Sequence, residues 1–257
     1  MNYLIAIFAG AVQGLTEFLP ISSTGHLIIF EKIFGVSQDK FGLAFDASLH
    51  LGTLLAVVIF FYKDYINLLN LKNKLLVNIA IGTIPAVILG LLFEKYIESS
   101  FRQIWVVGTS LIVFSAVIVF AEIIGKQIKK RNQIKVTDSL LIGLFQALAL
   151  IPGISRSGST ISAGLFLGFR RDEAAKFAFI LSGPIIAGAG LRKFSEVASS
   201  NLSVNDFNFF IIGILSSAVF GFLTIKYFLK YLSSKNLYPF IIYRLAVGII
   251  LLLAINL

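Results

Sequence analysis

Apolar positions in this chain come in long blocks, and the breaks between blocks are charged, prolyl or glycyl. Runs of bilayer-crossing length lie at Leu75–Phe93, Ile104–Ala121, Phe207–Ile225 and Leu237–Leu257. Reading all such blocks against their breaks predicts ten helical segments, roughly 2–19, 23–36, 42–62, 75–96, 104–125, 137–152, 159–169, 173–191, 207–231 and 237–256. The second and seventh are too short to cross a membrane. Each follows a helix-breaking turn, Pro20 in one case and Pro152-Gly153 in the other. Short apolar segments entered through such turns read as re-entrant hairpins that dip in and return.

The two halves of the chain resemble each other. A shift of 133 places Gly10, Gln13, Leu15, Ile21, Ser22 and Gly25 over Gly143, Gln146, Leu148, Ile154, Ser155 and Gly158. A shift of 131 places Ile81, Gly82, Gly90, Leu92, Lys95 and Tyr96 over Ile212, Gly213, Gly221, Leu223, Lys226 and Tyr227. Two windows at nearly one offset, with glycine and polar matches among them, point to a duplication. The expected fold is an all-α integral membrane protein, one membrane domain over 1–257. Its repeats cover about 1–125 and 137–257, each with one re-entrant hairpin and three transmembrane spans. Three spans is an odd number, so the second repeat enters the membrane from the opposite side and the repeats are inverted.

Charge follows the same plan. One side of the predicted topology receives Lys63, Lys72, Lys74, the cluster Lys126, Lys129, Lys130, Arg131 and Lys135, then Arg170, Arg171, Lys176, Lys226, Lys230 and Lys235. The other receives Lys32, Lys40, Lys95, Arg102, Arg192 and Lys193. The richer side is expected to be cytoplasmic, with both termini opposite. The first hairpin then enters from the periplasmic or exterior face, the second from the cytoplasm, and their tips meet near the midplane.

Composition supports the membrane reading: 57% of residues are hydrophobic, 14% are charged, and the mean hydropathy is +0.91, well away from soluble domains. The net charge of +9 is spread through connections, so it is a topology signal and no nucleic-acid partner is expected. No basic region precedes Tyr3–Phe8, and the first segment is expected to be retained. The absence of cysteine excludes disulfides, thiolate metal sites and a cysteine nucleophile.

Two polar stretches stand out from this apolar background. The first runs Gln13-Gly-Leu-Thr-Glu17-Phe-Leu-Pro20-Ile-Ser22-Ser23-Thr24-Gly25-His26. Gln13 and Glu17 are four apart and share a helix face. A carboxylate at bilayer depth costs about 2.5–3.5 kcal/mol, so Glu17 faces protein or water, either at a functional site or as helix–helix glue. Ser22 or Ser23 is a natural N-cap for the short helix that follows, whose open N–H groups and dipole favour an anion. The second stretch runs Pro152-Gly153-Ile154-Ser155-Arg156-Ser157-Gly158-Ser159-Thr160. Arg156 brings a permanently charged planar fork that matches phosphate oxygens. Asp46 and His50 share a face of the third segment and either line the same cleft or hydrogen-bond for structure. Arg244, inside the last segment, is open to both readings.

Residues Gln13–His26 and Pro152–Thr160 together resemble the two signatures of the bacterial undecaprenyl-diphosphate phosphatase family, also called the bacitracin resistance protein. The first signature is Glu/Gln-x-x-x-Glu running into Pro-x-Ser-Ser-Thr-Gly-His, the second Pro-Gly-x-Ser-Arg-Ser-x-x-Thr. This chain has Gln13 where the first signature also allows glutamate. The resemblance implies hydrolysis of undecaprenyl diphosphate to undecaprenyl phosphate at the outer face of the bacterial plasma membrane, assisted by Mg²⁺ or Ca²⁺. The product recycles as a lipid carrier for peptidoglycan and other envelope polymers, and the activity confers bacitracin resistance. Carried onto this chain, Glu17, Ser23, His26 and Arg156 are the catalytic candidates. Gln13, Ser22, Thr24, Gly25, Ser155, Ser157, Gly158 and Thr160 would bind substrate, and Glu17 with Gln13 would hold the cation. Ser23, His26 or a Glu17-activated water is the nucleophile. The expected partners are the polyprenyl diphosphate and the bilayer, with a homodimer left open. The alternative is a transporter or flippase for a phosphorylated polyprenyl lipid, because broken helices meeting at the midplane also suit transport.

Overall fold

A chain this apolar satisfies its backbone within each segment, and only helices do so locally. The computed structural model describes residues 3–34, 42–70, 72–198 and 204–254, and among these the regular elements are helices, with a single bridge between Lys129 and Phe169. The first half contains α1 (Tyr3–Phe18), α2 (Ser23–Phe34), α3 (Gly42–Phe60), α4 (Tyr62–Leu68), α5 (Lys74–Ser100) and α6 (Ile104–Ile124). After a 3₁₀ turn at Arg131–Gln133 come α7 (Val136–Leu148), α8 (Arg156–Phe166), α9 (Arg171–Ala198), α10 (Val204–Leu232) and α11 (Tyr238–Ala254).

Eleven α-helices are therefore described where the apolar pattern predicts ten segments. The addition is α4, whose sequence Tyr-Lys-Asp-Tyr-Ile-Asn-Leu is too polar to read as a membrane element. It leaves α3 at an angle of 85°. Among the described residues four helices, α5, α6, α9 and α10, are long and apolar enough to cross a membrane, and α3 with α4 forms a fifth if the bent pair is one span. The sixth expected span, α11, is 17 residues to Ala254, at the short end of the spanning range. The helix expected from 159 begins three residues earlier, at Arg156, because Ser155 caps it. Lys40 and the side chains of Lys95 and Lys193, used in the charge count, lie outside the described residues.

The expected hairpins are present as helix–turn–helix units, α1–α2 and α7–α8. At 12 and 11 residues, α2 and α8 reach about 18 and 16 Å at ~1.5 Å per residue, well short of a hydrocarbon core of about 30 Å. The first helix of each unit stops at the turn for a local reason: Pro20 follows α1, and Pro152-Gly153 follows α7, with Gly153 at φ 97°.

Glycine sets how closely the helices cross. In lipid there is little hydrophobic drive between helices, so close packing over small residues holds them. A Cβ on Gly10 of α1 would strike the Gly213 carbonyl of α10, and one on Gly14 would lie 2.6 Å from Ser217 O. A Cβ on Gly143 of α7 would likewise strike the Gly82 carbonyl of α5. These are the glycines that the two sequence shifts superpose, Gly10 on Gly143 and Gly213 on Gly82. The same crossing thus occurs twice, with the halves exchanged.

The core gathers on α9, the most buried of the spanning helices at 61% of its apolar window, and it packs on α8 through Ala174 and Gly164. Pro184 lies inside α9 and removes the N–H that would bond Ile180 O. The Tyr65 hydroxyl of α4 donates to that carbonyl at 3.0 Å instead. At one end of the bundle Glu122 accepts from Arg171 and from Leu237 N–H at 2.9 Å, joining α6, α9 and α11.

Candidate functional site: a polar cleft between two hairpin tips

Glu17 occupies the last turn of α1 and is buried to 6% exposure. One of its oxygens accepts from Gln13 Nε2 at 2.9 Å, one turn back along the same helix, and from Ser23 Oγ at 2.6 Å across the turn. Arg156 of the other hairpin brings its guanidinium to 3.4 Å from Glu17 Oε1. The Gln13 amide also donates to His50 Nδ1 of α3 at 2.9 Å, which puts the ring proton of neutral His50 on Nε2. Gln13 Oε1 is buried with no hydrogen-bond partner.

The turns that carry these groups are held in unusual backbone. Ser22 and Ser155 both have left-handed φ, 74° and 77°, a conformation that costs a non-glycine residue about 1–3 kcal/mol. Their hydroxyls offset the cost. Ser22 Oγ accepts from Gly25 N–H at 3.4 Å, capping α2, and from Gly153 N–H of the opposite hairpin at 3.1 Å. Ser155 Oγ caps α8 by accepting from Gly158 N–H at 3.2 Å. Of the two expected caps for α2, Ser22 is the one used, which leaves Ser23 in the first turn with its hydroxyl directed to Glu17.

Further bonds lock the tips together. Ser157 Oγ donates to Leu19 O at 2.8 Å. Arg244, fully buried in α11, donates to Pro20 O at 3.1 Å and Gly153 O at 3.0 Å, one carbonyl from each tip. Its remaining hydrogen bonds go to Leu111 O, Ser110 O and Ser115 Oγ of α6. Arg244 is thus a structural clasp, which decides the question that the sequence leaves open. Its partners are 91 to 224 residues away in sequence, so no local pattern reveals them.

The two tips enclose a polar cavity of about 30 Å³, room for a water, lined by Glu17, Ser22, Ser23, Thr24, Ser155 and Arg156 with the turn 149–152 as its wall. The N-termini of α2 and α8 both end at it, so two helix dipoles present their positive ends to one small space. Most of the sequence candidates therefore converge. Gly25 and Gly158 serve through backbone N–H groups spent on caps. Thr160 Oγ1 bonds its own helix at Arg156 O, 2.8 Å away, and supports the arginine's turn.

His26 does not reach the Glu17–Ser23 pair. Its Nδ1 donates to Ser22 O at 2.7 Å, and its Nε2 lies 2.7 Å from the Tyr243 hydroxyl of α11, with the rings stacked. Asp46 also faces elsewhere: it shares Arg102 with Glu31, at 3.0 and 3.6 Å. His50, its neighbour one turn on, is the member of that pair at the cleft. Tyr243 carries no sequence signal of its own, being one aromatic among many in an apolar helix. Among the described residues no group of three or more His, Cys, Asp or Glu side chains is placed to hold a metal ion.

Comparison with known proteins adds to this geometry. The model of the family described as bacitracin resistance protein BacA matches residues 6–250. The chain is 44% identical to the undecaprenyl-diphosphatase of Thermodesulfovibrio yellowstonii over 248 residues, 96% of this chain and 95% of that one. It is 41% identical to the undecaprenyl-diphosphatase of Geotalea daltonii over 270 residues, covering 100% and 99% of the two chains. With the undecaprenyl-diphosphatase of Rubrobacter xylanophilus it shares 40% over 262 residues, 96% of each.

Proposed function

The chain belongs to the bacitracin resistance protein BacA family, and on that premise we propose that it hydrolyses undecaprenyl diphosphate to undecaprenyl phosphate and inorganic phosphate. The observation that carries the reading to particular residues is the meeting of Ser23, Glu17 and Arg156, two hairpins contributing to one buried polar cleft. A hydroxyl bonded to a carboxylate is a nucleophile with its base. An arginine beside them matches the charge of a phosphoryl group in transfer.

In this reading Arg156 and the N-terminal turns of α2 and α8 receive the terminal phosphate. Ser23 Oγ attacks its phosphorus and gives its proton to Glu17. The bond from phosphorus to the bridging oxygen breaks, and undecaprenyl phosphate leaves. Water then attacks the phosphoserine, Glu17 returns its proton to the departing Ser23 oxygen, and water's own proton leaves with the released phosphate. Gln13 and His50 fix the Glu17 carboxylate. His26 holds Ser22, and with it the turn that presents Ser23. A part for its ring in proton transfer requires it to leave Tyr243.

A divalent cation fits the donors present. Glu17 offers a carboxylate and Gln13 an orphaned buried amide oxygen. Mg²⁺ is commonly held by one or two such groups together with substrate phosphates. When bound, Mg²⁺ or Ca²⁺ would neutralise phosphate charge. The topology belongs to the same proposal: two inverted repeats in the plasma membrane, with the cleft reached from the periplasmic or exterior side. The repeated Gly10–Gly213 and Gly143–Gly82 crossings and the twin serine turns support it.

The test is phosphate release from undecaprenyl diphosphate by the detergent-purified protein. Release that EDTA abolishes and added Mg²⁺ or Ca²⁺ restores is expected. Well-folded protein that releases none in any lipid, with either cation present, contradicts the reading and brings the transporter alternative forward.

A further inference from the structure

One large space in the bundle has no part in the chemistry above. A cavity of about 420 Å³ lies between α5 and α9, walled by Ala86, Gly90 and Leu91 on one side and Pro184, Gly188 and Ala189 on the other. Its lining is apolar, with Arg192 at the rim. Its size is within the range of small-molecule pockets, roughly 300–1,000 Å³. The cleft between the hairpin tips, by contrast, holds little more than a water.

The space is built in by residue choice. A Cβ added to Gly188 would meet nothing within 4 Å, and one on Gly90 would meet only Leu150, at 3.8 Å. The comparable crossing of α3 on α10 is closed: a Cβ on Gly52 would strike Ile214 O, and one on Gly221 would lie 3.1 Å from Ala56. So Gly52 and Gly221 permit close packing of α3 on α10, while Gly90 of α5 and Gly188 of α9 leave a trough. The spanning part of α5 is buried over only 28% of its window, consistent with one face left without a helix partner.

The trough also adjoins the site. Leu150 lies against it, and Ala149, Ile151 and Pro152, its neighbours on the same turn, line the polar cleft. One turn of chain therefore separates an anion-binding cleft from an apolar groove. That is the order of groups in a polyprenyl diphosphate, a small charged head joined to a long apolar chain. We infer that the groove between α5 and α9 binds the head-proximal isoprene units of the substrate, with the Leu150 turn as the divide between tail and headgroup. The inference rests on the phosphatase reading for the identity of its occupant.

The groove and the cleft together specify a charged head joined directly to hydrocarbon. Only a chain that continues from the phosphate as hydrocarbon fills both spaces. Binding the first units fixes where the diphosphate lies, so the remainder of the tail is free to stay in the lipid.

Gly188→Phe and Gly90→Leu fill the groove without touching the cleft, and both replace a helix-weakening glycine, so folding is expected to survive. Each should raise KM for the polyprenyl diphosphate by about ten-fold or more while leaving kcat within about two-fold, the mark of lost ground-state binding. Unchanged KM in both variants, or a fall in kcat alone, overturns the groove. A photoreactive polyprenyl bisphosphonate, which is not hydrolysed, gives an activity-independent readout. Label recovered in peptides 86–97 and 184–192 supports the assignment, and label confined to the lipid-facing sides of α6, α10 and α11 overturns it. Groove labelling by a wild type that releases no phosphate would keep the groove and remove the enzyme. Hydrolysis with KM untouched in both variants would do the reverse.

Discussion

Ser22, Ser23 and Thr24 are adjacent and chemically alike, yet the fold gives them different work. Ser22 takes the strained φ of 74° and spends its hydroxyl on two backbone N–H groups. Ser23, one residue on, is left to bond Glu17 at 2.6 Å. Removing the Ser23 hydroxyl should therefore abolish chemistry and spare the turn. Ser23→Ala is expected to lower the saturated rate of phosphate release by roughly 10²-fold or more, with an unchanged thermal unfolding midpoint. Near-normal turnover in that variant would transfer the attack to water or to another side chain. The sequence marked Glu17 and Arg156 as charges at bilayer depth, and Ser23 through its place at the start of the short helix and in the family signature. It left the division of labour between Ser22 and Ser23 open, since both suit an N-cap and only the backbone angle separates them.

The helix–turn–helix units α1–α2 and α7–α8 were readable from local signals: the apolar stretch after each turn is short, and proline or glycine precedes it. α4 was not, because a seven-residue polar helix looks like a connection until Tyr65 is seen donating to the carbonyl that Pro184 frees. Arg244 shows the same limit. Its charge inside an apolar helix flags it, but its partners on both hairpin turns come from across the chain. Arg244→Met would leave Pro20 O and Gly153 O without their donor. An unsatisfied buried carbonyl costs about 1–3 kcal/mol, and relief of burying the charge offsets part of the sum, so a net loss of about 2 kcal/mol or more is expected. A drop in the unfolding midpoint of the purified protein, accompanied by lost turnover, would show it. An unchanged midpoint would mean the hairpin tips hold together without the clasp.

At the scale of the whole molecule, the two sequence shifts and the two glycine crossings coincide. α1 lies on α10 and α7 on α5, so each hairpin is held by a long helix of the other half. That exchange brings Glu17 and Arg156, 139 positions apart in sequence, to 3.4 Å. The open space between α5 and α9 was invisible in the sequence, because glycine in a membrane helix marks close packing and vacancy alike. Surface topology is testable on the intact protein: a cysteine introduced in the Lys126–Lys135 connection of this cysteine-free chain should be shielded from an impermeant thiol reagent in whole cells. One introduced beside Arg102 should be labelled. The opposite pattern would reverse the side from which the cleft is reached.

The most direct test of the central claim, a single hydrolytic site built by both hairpins, is phosphate release from undecaprenyl diphosphate by wild type, Glu17→Gln and Arg156→Ala, each purified and shown to be folded. The two-hairpin site predicts metal-dependent release by the wild type and losses of roughly 10²-fold or more in each variant, with the double variant little worse than either alone. Substantial release from folded Arg156→Ala would contradict it, placing the chemistry on the first hairpin alone.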